Sequence, residues 1–266
     1  MASRLLRTTT ITLLGLAIAA CSSSPTGRNQ LVLVPDDQLN EMGAQSFEQM
    51  KSEIPKSDNL RQTQNVQCVA DHIISVLPEK YQKQAWEVVL FDDEQINAFA
   101  LPGNKIGVYT GLLTVATNQA QLAAVMGHEV GHVLARHGNE RVSTQLATSQ
   151  ALALGYELSG EDSAVKSAVF QGLGVGAQYG IILPFSRAHE TEADLIGLDL
   201  MAKAGFDPEE SAELWRKMGG GGASTPEWMS THPSNNTRIQ SLESAMAEPN
   251  KIYASLQAKN QTANCY

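Results

Sequence analysis

His128, Glu129 and His132 stand in the run His128-Glu129-Val130-Gly131-His132, two imidazoles four residues apart with a carboxylate beside the first. On an α-helix, positions i and i+4 lie about 40° apart, so both rings reach one point beside the axis. Zinc takes histidine nitrogens at about 2.0–2.1 Å in a tetrahedral set that a rigid helix can prearrange. Glu129 projects one position round. It can face a water acidified by the metal and take its proton as that water attacks a carbonyl. The competing reading is a chance HExxH among six histidines. Against it stand the apolar neighbours Leu122, Val125, Val133 and Leu134, on a helix that Asn118 and Gln121 can cap.

A hydrolytic zinc needs a third protein ligand and one open position. His137 lies five residues past His132, about 140° round the helix, and suits a helix C-terminus better, where positive charge is favoured. A third histidine six residues on is excluded, because Gly138 stands there and Ala135 occupies the place of the helix-breaking glycine. The better source is Phe185-Ser186-Arg187-Ala188-His189-Glu190-Thr191-Glu192-Ala193-Asp194. Ser186 can cap a helix that puts Glu190 and Asp194 on one face, Glu190 as ligand and Asp194 holding a ligand histidine by its second nitrogen. His189 is an adjacent, less well aimed alternative ligand. Glu192 points away and is expected in solvent. A plain acidic helix face is the bland alternative.

The elements that must position these residues follow from periodicity and punctuation. Leu31 to Val34 reads as a strand ended by Pro35, and Asp36 to about Met50 as a helix. Val66, Val69, Ile73 and Leu77 mark an amphipathic helix between Asn59 and Leu77. Strands near 86–91, 98–100 and 106–109, with the turn Pro102-Gly103-Asn104, predict a small antiparallel sheet. The HExxH helix is expected to run from Asn118 to His137, with Gly138 after its end. Further helices are expected at about 139–158, 162–180 and 187–204. Another opens at Asp207-Pro208-Glu209-Glu210, with Glu210 as reciprocal cap, and a last one runs from Ser234 to about Ala247. Ala164 to Phe185 is apolar but broken by Lys166, Gln171 and Gln178, and reads as a buried helix. The expected fold class is α+β and mostly helical, a small sheet lying beside the HExxH helix.

Residues 1–20 begin with Arg4 and Arg7, continue through an apolar stretch and end Ile18-Ala19-Ala20 before Cys21. That order is a secretory signal peptide. Its end resembles a bacterial lipobox, which makes Cys21 the expected lipidation site, and Ser22 resembles a residue of lipoproteins sent to the outer membrane. An ordinary secretory leader with an incidental cysteine is the alternative. Residues 21–30 read as a lipidated flexible tether and 31–266 as the functional domain. Of three cysteines, Cys68 and Cys265 remain as a candidate disulfide in an oxidising compartment. Nineteen basic against 28 acidic residues disfavour nucleic acid as a partner. A hydrophobic content of 42% with 21 glycines excludes a disordered chain.

On these residues, the chain resembles the gluzincin peptidases of the HtpX and CAAX-prenyl-protease family, whose zinc signature is HEVGH followed by Glu190-x-x-x-Asp194. Within it the chain looks like the soluble, LoiP-like bacterial lipoprotein branch and the mitochondrial Oma-type proteases. The likeness runs from Asn97-Ala98-Phe99-Ala100 through Gly111-Leu112-Leu113, HEVGH and residues 185–194 to Thr231-His232-Pro233-Ser234 and Arg238. It implies a zincin-type fold and one zinc ion per chain on His128, His132 and Glu190. Glu129 would be the general base, with Asp194 behind the ligands. His232 and Arg238 would be catalytic, near substrate, where they could stabilise an oxyanion. The strand Asn97, Ala98, Phe99, Ala100 would bind an extended peptide by its edge. A loop covering that edge would make the enzyme latent, and Gly219 to Gly222 is a candidate moving part. The implied partners are unfolded or misfolded protein substrates in the periplasm, with the membrane met only through the lipid. A non-catalytic chaperone-like lipoprotein and a zinc amidohydrolase of cell-wall peptides are the rival readings.

Overall fold

The structure is a computed structural model that describes residues 21–158, 185–219, 227–232 and 236–265. The chain divides into two compact units, one of Met1–Asp36 with Arg136–Leu183 and one of Asp37–Ala135 with Pro184–Tyr266. Residues 1–20, the expected helix at 162–180 and Gly220 to Gly222 lie outside the described residues.

In the first unit, β1 (Cys21–Ser23) pairs antiparallel with β2 (Asn29–Leu31). The small polar stretch expected as a flexible tether therefore forms a hairpin, turning at Gly27 with φ 88°. The strand expected over Leu31–Val34 ends at Leu31. Beyond it the backbone is engaged by side chains of α5 (His137–Leu158): Leu33 N–H donates to Ser143 Oγ at 2.8 Å, and Asn139 Nδ2 donates to Val34 O at 2.7 Å. Arg28 and Glu140 pair at 2.6 Å.

The second unit holds α1 (Asp36–Glu53), α2 (Leu60–Ser75), α3 (Glu79–Gln82), β3 (Glu87–Phe91), β4 (Ala98–Leu101), β5 (Lys105–Tyr109) and a 3-10 turn over Thr110–Thr114. Then come α4 (Gln119–Leu134), α6 (Arg187–Lys203), α7 (Glu209–Gly219), α8 (Glu227–Thr231), α9 (Asn236–Ala245) and α10 (Ala247–Ala258). Among the described residues no helix is long and apolar enough to cross a membrane. The sheet order is β3-β5-β4. β4 and β5 form the expected hairpin, but β3 runs parallel to β5, with Glu87 opposite Lys105, so the sheet is mixed rather than antiparallel. The turn signal fixes only the hairpin. The reach of Asp92 to Asn97 carries the chain past β5 to its far side.

β4 is an edge strand, and Tyr109 N–H donates to Asn97 O. Antiparallel alternation then turns the main-chain groups of Phe99 and Leu101 toward β5 and those of Ala98 and Ala100 outward. The Phe99 ring packs over Gly107, where a Cβ would come within 2.2 Å of it, and joins Phe47, Phe91 and Tyr109 in a small aromatic core. The Phe99 side chain is therefore a packing residue, and it is the edge of the strand that faces outward. The larger core gathers Val69 and Ile73 of α2, Val108 of β5, Leu122 and Met126 of α4, and Leu198 and Met201 of α6. Cys68 on α2 and Cys265 are joined by a disulfide with Cα atoms 5.6 Å apart.

Candidate active site

α4 begins as its sequence dictates: Asn118 is extended and its side chain accepts from Gln121 N–H at 2.8 Å. It ends earlier than expected. Arg136, rather than Gly138, takes the left-handed conformation, φ 55°. His137 consequently opens α5 and is fully buried, instead of capping α4. α6 is capped by Ser186, which accepts from His189 N–H at 3.2 Å, and stops at Gly205, φ 85°.

The two helices meet through glycine. A Cβ at Gly131 would lie 2.8 Å from Ala193 O, and one at Gly197 would lie 2.6 Å from His128 N. Backbones therefore touch, and Glu190 and Asp194 reach the histidines from one face of α6. The glycine of HEVGH is thus a spacer: any side chain there would push the third ligand away.

Nε2 of His128 and Nε2 of His132 are 3.0 Å apart. Glu190 Oε2 lies 3.6 Å from the first and Oε1 lies 3.4 Å from the second. These atoms and a ring nitrogen of His232 all fall within 4.8 Å of one another, in four buried residues. His128 Nδ1 pairs with Asp194 Oδ1 at 2.9 Å, which places its proton there and directs the Nε2 lone pair at the cluster. Burial holds the His128 imidazolium below its usual range, against the opposing pull of Asp194. The neutral ring is the form that ligates metal.

Glu190 tests the fit of a metal. Its carboxylate is 1% exposed and neither oxygen receives a hydrogen bond. Arg238 Nη1 approaches Oε2 at 2.6 Å, but without the alignment of a hydrogen bond. Burial outweighs that charge and pushes the Glu190 carboxyl up to about 9. A buried acid lacking donors beside two imidazole lone pairs is a donor set suited to a divalent ion, and two nitrogens with one oxygen suit zinc.

Arg238 departs from the oxyanion role that the resemblance implies. Its Nε donates to Asp194 Oδ2 and its Nη2 to Asp194 Oδ1, both at 2.7 Å, and its guanidinium carbon sits 3.7 Å from the Trp215 ring centre. The fork is used up holding the carboxylates, so Arg238 is a positioning residue. Burial acts to raise the Asp194 carboxyl, but Arg238 and His128 overcome it and hold it below its usual value.

Glu129 faces the other way, toward β4 and α8. Its Oε1 accepts from Trp228 Nε1 at 2.7 Å and lies 3.5 Å from His232 Nε2, and the backbone of Ala100 also hydrogen-bonds the carboxylate. Burial pushes the Glu129 carboxyl up to about 8, with Trp228 and Ala100 opposing. A carboxyl poised near neutrality can both accept and return a proton. His232 lies beside this carboxylate, its Nδ1 2.9 Å from Thr231 Oγ1.

The remaining expectations divide. His189 is buried beside Phe185 and stands outside the metal-capable group. Glu192 is buried rather than solvated, because α6 carries α4 on one face and α9 and α10 on others. Glu210 gives its carboxylate to Gln121 Nε2 at 2.6 Å instead of closing a cap. Spacing does not single out Trp215 and Trp228. Their signal is compositional: two of only three tryptophans stack here, with centroids 4.8 Å apart.

Residues 60–246 match the profile of peptidase family M48. The chain is 37% identical over 187 residues to the mitochondrial metalloendopeptidase OMA1 of Schizosaccharomyces pombe, covering 68% of this chain and 50% of that protein. It is 30% identical over 243 residues to the human mitochondrial metalloendopeptidase OMA1, covering 85% and 46% respectively. It is 28% identical over 206 residues to the beta-barrel assembly-enhancing protease of Escherichia coli, covering 75% and 42%. The chain spans about half the length of the curated relatives it matches. The profile match runs from the first residue of α2 to the residue after α9 and takes in every member of the buried cluster, so the chain belongs to peptidase family M48.

Proposed function

We propose that this chain is a zinc-dependent endopeptidase whose ligands are His128, His132 and Glu190 and whose general base is Glu129. The observation that carries the reading is the convergence of two imidazoles and a donor-poor buried carboxylate beside a second buried carboxylate. Zinc, when bound, polarises the scissile carbonyl and acidifies water. Glu129 takes a proton from that water as its oxygen attacks the carbonyl carbon. It then returns the proton to the amide nitrogen as the C–N bond breaks. Edge strand β4, where the Ala98 main chain faces outward beside the Ala100 backbone that already bonds Glu129, offers an extended peptide a place to pair, which suits unfolded substrates.

Envelope proteins that have failed to fold are the proposed substrates, and the bacterial periplasm is the proposed location. The leader-like residues 1–20 with Cys21 as lipid-bearing first residue support an anchor, proposed at the outer membrane, as in the LoiP-like lipoprotein branch. The Cys68–Cys265 disulfide supports an oxidising compartment. One of the relatives is named for β-barrel assembly, which supports envelope quality control as the role.

The test is Glu129→Gln on the purified protein. Zinc content should stay near one ion per chain while cleavage of casein falls by at least roughly 100–10,000-fold, the span of a lost general base. Full activity in this variant would remove Glu129 from the chemistry. Zinc-loaded wild type that holds unfolded clients without cutting them would favour the chaperone-like reading. Cleavage of muropeptides alone would favour the amidohydrolase.

A further inference from the structure

Trp228 touches more of the catalytic framework than its place on a five-residue helix suggests. Its indole N–H donates to Glu129 Oε1 at 2.7 Å, and its backbone N–H donates to Ile96 O at 3.2 Å, at the head of edge strand β4. Its ring stacks on Trp215 at 4.8 Å and 17°, and Trp215 in turn carries the Arg238 guanidinium that grips Asp194. At 1% exposure the indole has little freedom to leave.

A glutamate side chain has three rotatable bonds, and its two oxygens offer about four lone-pair sites. A general base that wanders among those states loses the alignment on which proton transfer depends. Indole N–H is a donor only, so it holds an oxygen without competing for the proton. We propose that Trp228 is the positioning residue of the general base: its indole holds Glu129 Oε1, and with the Ala100 backbone bond to the same carboxylate it sets the orientation from which the base meets water. Its backbone bond to Ile96 registers that carboxylate against the strand with which a peptide would pair. This rests on the reading of Glu129 as the base, but the contact itself is testable without catalysis.

The first measurement uses metal-free protein labelled with 15N-tryptophan, which gives one indole N–H resonance each for Trp86, Trp215 and Trp228. Glu129→Ala should move the Trp228 resonance upfield and speed its exchange with solvent at least about tenfold. Trp86, whose indole donates to Tyr81 O, should be unaffected. The second uses zinc-loaded Trp228→Phe, which keeps an aromatic ring on Trp215 and removes the donor. Its kcat should fall about tenfold or more, with KM within about twofold of wild type and zinc content unchanged. An unmoved Trp228 resonance in Glu129→Ala overturns the contact. An unchanged or raised kcat in Trp228→Phe overturns the positioning role, a rise meaning that the indole obstructs the site. If Trp228→Phe does not fold, the resonance of Trp228 decides alone. Were the protein no protease at all, the resonance would still answer.

Discussion

Two shared ion clusters in the second unit differ in burial and in charge balance. In one, Arg238 serves two carboxylates, Asp194 and Glu190, with all three side chains 1–3% exposed. In the other, Glu87 of β3 serves two lysines, Lys51 of α1 at 2.6 Å and Lys105 of β5 at 2.9 Å, with the glutamate side chain 33% exposed. The second is balanced, because Lys51 also pairs with Glu48 at 2.6 Å, whereas the first holds one carboxylate more than it has cations, and burial decides how strongly that excess is felt. Hydrogen bonds from Lys105 and then Lys51 hold the Glu87 carboxyl below its usual range. The surplus carboxylate beside Arg238 has no water to turn to, and Glu190 is driven up to about 9. A buried cluster one positive charge short, with imidazole lone pairs alongside, is neutralised by a proton on Glu190 or by a cation that takes the proton's place.

Glu190→Gln breaks the comparison where its effect is largest. Removing the surplus charge while keeping the shape should weaken zinc binding by roughly two orders of magnitude or more, because an amide oxygen is a poor third ligand. Casein cleavage should vanish with it. In the presence of a chelator the same variant should melt at or above the wild-type temperature, since Arg238 is then matched by Asp194 alone. Metal analysis with calorimetry, with and without chelator, checks both parts. Zinc binding at wild-type strength would show that Glu190 is not a ligand.

Arg238→Met probes the same cluster from its positive side and should have the next largest effect. It leaves Asp194 and Glu190 buried with no cation, and breaking a buried pair in this way costs about 3–5 kcal/mol. For a chain of this size the melting temperature should drop by roughly 6–20 °C. Zinc affinity should fall about 10–100-fold through the loosened Asp194–His128 bond. A drop of less than about 2 °C would mean the carboxylates find other partners.

The contrast also shows what can be read from the chain. The caps at Asn118 and Ser186, the HEVGH face and the pairing of Glu190 with Asp194 are local, since each depends on residues within one or two turns, and the structure brings them together. The left-handed turn at Arg136 is not legible, because Gly138 is the better candidate by propensity and only the start of α5 at His137 rules it out. The parallel pairing of β3 is hidden because turn residues specify only the hairpin that contains them. Glu192 departs from expectation because helix periodicity tells which residues share a face, not how many neighbours crowd around α6. The role of Trp228 depends on a contact between residues 99 positions apart and leaves no mark in local sequence.

Glu87→Gln should have the smallest effect and gives the comparison its control. With a third of the side chain in solvent, the pair with Lys51 and Lys105 contributes only about 0.2–1 kcal/mol, and less in high salt. The sign with pH is fixed by the lowered carboxyl. A group more acidic in the folded state contributes stability that is fully present above its unfolded pKa. That stability is lost as the pH falls through the folded value. Urea titrations at neutral pH should therefore show the variant slightly less stable than wild type. The gap should close as the pH drops below the ordinary carboxylate range and the wild-type glutamate takes up its proton. It should also shrink between low and high salt, whereas the defect of Arg238→Met, shielded from solvent ions, should persist. A Glu87→Gln defect as large as that of Arg238→Met would overturn the view that burial sets how much each cluster contributes.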